Sequence, residues 1–231
     1  MSTQIPTVPP TIAPVRGARS RLPVRTLAGL LFLATATFAP VSGYSQHLFG
    51  WLLGPNYGRE VLWWVLTFGL YGYILGVERR SLASIGFSRP KPLDLALGVL
   101  MGILLVAGMI FIEIVIFPLL HLEINMKADK AIMATPFVYR LLLVTRAAVA
   151  EEALFRGYPI ERLLSWRGSR LLAGGLSVAA FTYAHLSYWG PAQLIIAGYG
   201  GIVLTLLYFW RRNLWANMLA HFIADGAGFL T

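Results

Sequence analysis

Glu151 and Glu152 stand side by side in the run Ala150-Glu151-Glu152-Ala153-Leu154-Phe155-Arg156, within otherwise apolar sequence. Adjacent carboxylates with a guanidinium four residues on are parts for general acid–base work. On a helix Glu152 and Arg156 share a face, while Glu151 lies about 100° round from Glu152. Arg156 therefore neutralises one carboxylate and leaves the other to point elsewhere. A carboxylate sheltered from bulk water is a competent general base. Farther on, His185 follows Phe181 by four residues, and Asp225 follows His221 by four. These are also the residue types that ligate divalent metals. Each group has a structural reading too. Glu152 and Arg156 can simply lock helices together, and a lone intramembrane histidine often bridges two helices.

The rest of the chain says where these groups must sit. Of 231 residues, 57% are hydrophobic and 13% charged, with mean hydropathy +0.67. A soluble domain carries about 25% charged residues, so this composition excludes one and points to a bilayer. The length holds one polytopic bundle of roughly six to eight helices at ~20 residues each, with no second domain. There are no cysteines, which removes disulfides, thiolate nucleophiles and cysteine-ligated metal. The formal charge is +9, but the basic residues cluster between apolar runs, the pattern of a membrane face and not of a nucleic-acid binder.

Residues 1–24 are rich in Pro, Thr and Arg, predicting a disordered tail. Residues 25–231 then form an all-α integral membrane bundle of about seven spans. The apolar runs are Leu27–Pro40, Val61–Val77, Leu93–Leu119, Pro136–Leu164, Leu171–Leu186, Ala192–Trp210 and Leu214–Leu230. Basic residues concentrate on alternate loops: Arg79 and Arg80 in one, Arg167 and Arg170 in another, Arg211 and Arg212 in a third. That bias puts the N-terminus in the cytoplasm, and a bacterial plasma membrane is the expected location. Charge near the bilayer centre costs at least about 2.5–3.5 kcal/mol, so the ionisable residues in these runs have partners or tasks. Glu113 is expected to pair with Arg140 or Arg146.

Depth brings the reactive groups together. Glu151 precedes Arg167, and His185 follows Gly168, by nearly equal stretches. At about 1.5 Å per residue both lie roughly 24–26 Å from that turn, level on antiparallel neighbours. His221 and Asp225 share one face of the last run. One pocket formed by Glu151, His185 and His221 is the expectation. None of the four histidines has the His-Glu-x-x-His spacing of common zinc proteases.

The ordered set Glu151-Glu152-x-x-x-Arg156, Phe181-x-x-x-His185 and His221-x-x-x-Asp225 resembles the CPBP family of intramembrane proteases. That family is related to the type II CAAX prenyl endopeptidase and to bacteriocin-processing or immunity proteins. The resemblance covers a core at residues 136–231. It implies peptide-bond hydrolysis, with Glu151 activating water, His185 holding it, His221 and Asp225 polarising the scissile carbonyl, and Arg156 orienting Glu151 and Glu152. It leaves open a divalent metal, zinc foremost, on Glu151, His185 and His221. The implied substrates are CAAX-like peptides, other peptides or membrane proteins. Asp225 departs from the common Asn at that position. An ionised Asp cannot donate to an oxyanion, so it is protonated, orients His221, or ligates metal.

Two rival readings stand beside this one. Gly175-Leu176-Ser177-Val178-Ala179 resembles the serine patch of rhomboid proteases, with His221 as partner. Alternatively, the intramembrane charges serve a non-catalytic scaffold, an immunity protein or a transporter-like subunit.

Overall fold

The computed structural model describes residues 23–38, 51–123 and 126–231. Every regular element among them is helical, as expected of backbone that must satisfy its own hydrogen bonds in lipid. Most of the tail expected at residues 1–24 lies outside the described residues, and Val24 already opens α1 (Val24–Phe38). Then come α2 (Trp51–Gly72), α3 (Pro92–Phe111), α4 (Met126–Met133), α5 (Phe137–Arg146), α6 (Tyr158–Arg167), α7 (Arg170–Ala184), α8 (Gln193–Arg211) and α9 (Leu214–Phe229). A π-helical stretch, Ala147–Gly157, joins α5 to α6 without a break.

Each expected apolar run is helical over most of its described part. By length and composition, three stretches can cross a membrane: Tyr57–Val77, Pro92–Leu119 and Gln193–Arg211. A fourth arises if Met126–Met133 and Phe137–Arg167, bent by 118°, count as one span. The expected seven is therefore not reached on this measure. Helices α7 and α9 run 15 and 16 residues, short of the roughly 20 that the hydrocarbon core requires. Sequence reading also missed α4, because Lys127, Asp129 and Lys130 mask its apolar stripe. Its Ala128 and Ile132 are buried.

Local chemistry sets the helix ends near the site. Ser169 Oγ accepts from Leu172 N at 3.2 Å to start α7, and Asn213 Oδ1 accepts from Trp215 N at 2.9 Å to start α9. Gly168, at φ +67°, supplies the left-handed turn after α6. Small residues let α9 press on α3. A Cβ on Gly98 would stand 2.8 Å from the Ala216 carbonyl oxygen, and one on Gly102 would stand 2.8 Å from Ile223 Cβ. A core of Leu70, Ile74, Leu154, Phe155 and Tyr158 joins α2 to the π stretch and α6.

Candidate active site

The π stretch carries both glutamates. Its i→i+5 bonding continues to the Tyr158 N–H, which donates to the Ala153 carbonyl; such stretches concentrate at functional positions. Pro159 has no N–H, so the Phe155 carbonyl lacks an α-helical partner. The Ser177 hydroxyl donates to it instead, at 2.7 Å.

Glu152 is wholly buried. Its Oε1 accepts from Arg156 Nη1 and from His221 Nδ1, each at 2.8 Å. Its Oε2 accepts from Asn217 Nδ2 at 3.0 Å. The expected Glu152–Arg156 pair is present, and the guanidinium also lies 4.0 Å from the centroid of the Phe181 ring. Glu152 ties α9 to the π stretch.

Glu151 faces the other way, as the 100° offset implies, but it is not free. Its Oε1 accepts from Arg146 Nη1 at 2.9 Å. Arg146 in turn donates through Nε to Glu60 Oε2 at 2.7 Å. This overturns the expectation that Arg146 partners Glu113. Arg140 is engaged elsewhere, its Nη1 donating to the Phe229 carbonyl at 2.9 Å. The five-residue interval between Arg146 and Glu151 fits a π turn and not an α turn, which is why an α-helical reading missed the pair. Glu60 escaped notice because it precedes the apolar run on α2.

Oε2 of Glu151 lies 3.8 Å from His185 Nε2, so the depth match holds. His185 Nδ1 is 2.7 Å from the Phe181 carbonyl oxygen. A carbonyl only accepts, so Nδ1 carries a proton, and with Nε2 unprotonated the ring presents a lone pair to Glu151. Two acceptors facing each other across 3.8 Å suit one water that donates a hydrogen to each.

His221 donates through Nδ1 to Glu152, which leaves Nε2 beside Asp225 Oδ2 at 3.5 Å. His185, His221 and Asp225 line one cavity of about 50 Å³ with Phe181 and Gln193, large enough for a few water molecules. Glu151 thus meets His185, and His185 shares the cavity with His221, while Glu151 is not among the residues that line it. As metal ligands they fall into pairs: among the described residues, no three His, Cys, Asp or Glu side chains are close enough to hold one ion. The donors as arranged do not fit the expected zinc. Ser177 lines a different and larger cavity, of about 400 Å³, with its hydroxyl engaged, so the serine–histidine pairing does not form.

Comparison with known proteins agrees with the motif reading. Residues 132–227 match the family described as Type II CAAX prenyl endopeptidase Rce1-like. This stretch of the chain is similar to that family. The match begins in α4 and ends in α9, so it takes in every motif residue and leaves out α1 to α3 and Glu60. The uncharacterized protein YpbD of Bacillus subtilis (strain 168) is 32% identical over 106 residues, which is 46% of this chain and 52% of that relative. The chain thus spans about half the length of the curated relative it matches. No solved structure matches the chain.

Asn217, missed in the sequence, completes the grip on Glu152. The signal was available, since Asn217, His221 and Asp225 recur at four-residue intervals on one face of α9.

Proposed function

We propose that this protein is an intramembrane endopeptidase that hydrolyses a peptide bond with water activated by Glu151. The observation that carries this reading is the 3.8 Å gap between Glu151 Oε2 and His185 Nε2. A water donating one hydrogen to each group turns a lone pair toward the cavity. As that oxygen attacks the scissile carbonyl carbon, Glu151 takes its proton and later returns it to the leaving amine. Arg146 and Glu60 fix the other carboxylate oxygen, so the base keeps its aim. His221, with both ring nitrogens protonated, donates through Nε2 to the oxyanion. The neighbouring Glu152 and Asp225 carboxylates balance its charge. No step is routed through a metal, because the donors form pairs.

The Rce1-like match supports a substrate among CAAX-like C-termini, other peptides or membrane proteins, reached from the lipid bilayer. The loop charges favour an N-terminus on the cytoplasmic side.

The test is proteolysis by purified protein in detergent, on a farnesylated CAAX peptide, its unprenylated form and a transmembrane peptide. The wild type cleaves, Glu151→Ala does not, and a chelator leaves the rate unchanged. If Glu151→Ala and His185→Ala retain the wild-type rate, the scaffold reading takes over. Loss of activity to the chelator, restored by zinc, would replace metal-free chemistry with metal-assisted hydrolysis.

A further inference from the structure

The small cavity holds one polar side chain that no step above employs. Gln193, the first residue of α8, shares its wall with His185, His221 and Asp225. The carboxamide makes no hydrogen bond within the described residues, although Gln193 is only partly exposed. An amide in such a place retains two unengaged N–H donors and an acceptor oxygen.

Hydrolysis puts negative charge on the carbonyl oxygen as the tetrahedral intermediate forms, and the cavity must supply donors to it. Glu151 and Asp225, when ionised, accept only. The Nδ1–H of His185 is held by the Phe181 carbonyl at 2.7 Å. The Nδ1–H of His221 is held by Glu152 at 2.8 Å. Asn217 Nδ2 is engaged by Glu152 at 3.0 Å and by the Leu204 carbonyl at 2.7 Å. His221 Nε2 and the Gln193 carboxamide are left. The remaining walls are mostly apolar, including Leu105, Met109 and Ile196.

We propose that Gln193 is a catalytic residue whose carboxamide N–H donates to the oxyanion of the tetrahedral intermediate, opposite His221 Nε2. This rests on the reading of the site as a hydrolase. The amide neither gains nor loses a covalent bond. It stabilises charge while water oxygen bonds to carbon, and it withdraws as the C–N bond breaks and the amine leaves protonated. A neutral donor suits a cavity already holding the Asp225 carboxylate, since it adds no charge of its own.

Gln193→Glu keeps the shape and, when ionised, removes both donors. Gln193→Leu removes all polarity, and Gln193→Asn keeps the amide on a shorter arm. Turnover of whichever of the three peptides above the wild type cleaves is measured for each variant beside Glu151→Ala, with melting temperature as the check on folding. The expected result is a loss of kcat of about 100-fold in the Glu and Leu variants. KM should stay within about threefold, melting should match the wild type, and Gln193→Asn should recover part of the rate. A peptidyl phosphonate imitating the tetrahedral species should bind the Leu variant more weakly by a similar factor. Wild-type kcat in both the Glu and Leu variants, with Glu151→Ala inactive, overturns the role of Gln193 alone. Activity in Glu151→Ala, or no cleavage by the wild type, overturns the hydrolase reading and this role together. A loss of kcat accompanied by an equal loss of melting temperature in every variant assigns Gln193 to structure and also refutes the proposal.

Discussion

Replacing Arg156 by methionine separates the two glutamates by function. Both Arg156 and Glu152 are inaccessible to solvent. The variant leaves Glu152 with its hydrogen bonds from His221 and Asn217 but without the guanidinium 2.8 Å away. Removing one member of a buried ion pair typically costs about 3–5 kcal/mol, because the surviving charge stays desolvated. For a chain of this length each kcal/mol lowers the melting temperature by about 2–4 °C, so the drop is about 6–20 °C. Glu151→Gln behaves differently. Its amide oxygen still accepts from Arg146, and Glu60 still holds Arg146, so the change in stability is about 1 kcal/mol or less. Hydrolysis is nevertheless lost, because an amide cannot take a proton from water at neutral pH. Tryptophan fluorescence melts in detergent and peptide cleavage are measured on the same preparations. The division of labour is refuted if Arg156→Met melts within about 2 °C of the wild type, or if Glu151→Gln falls as far while still cleaving substrate.

Glu60→Gln loosens Arg146 from α2 and lets Glu151 drift; kcat should fall by about 10- to 100-fold with KM little changed, as read from initial rates. Ser177→Ala removes the hydroxyl that donates to the Phe155 carbonyl, so it should destabilise by about 1–3 kcal/mol in a melt yet keep the wild-type kcat, whereas a serine-nucleophile enzyme would lose all activity. A general base works only when unprotonated. Acidification should therefore lower kcat/KM reversibly in a pH–rate profile, and a rate that does not fall at any acid pH at which the protein stays folded would speak against a carboxylate base.

The sequence was most legible where helical periodicity alone decides the contacts. The i,i+4 spacing predicted the Glu152–Arg156 pair and put His221 and Asp225 on one face. Equal distances from the Arg167–Gly168 turn predicted that Glu151 and His185 would meet. Each inference needs only 3.6 residues per turn and 1.5 Å per residue. The misses lie where that geometry fails. Arg146 reaches Glu151 because the chain widens into a π stretch, and the missing N–H of Pro159 leaves only an indirect trace of that in the sequence. Glu60 joins the site from a distant helix, which no spacing within one segment reveals. Gln193 was overlooked because a neutral amide beside an apolar run carries no charge signal. The span count was the least secure inference, since hydropathy marks apolar runs but does not say whether a run of 15 or 16 residues is long enough to reach both faces of a bilayer.

The glycines at 98 and 102 have a bearing on where the recognisable domain stops. They seat α9, with His221 and Asp225, against a helix that lies wholly upstream of residue 132, and Glu60 steadies Arg146 from still farther upstream. The familiar segment is therefore not a portable module. Grafted alone onto another scaffold, it would bring the signature residues but lose the flanking buttress that keeps two of them in register.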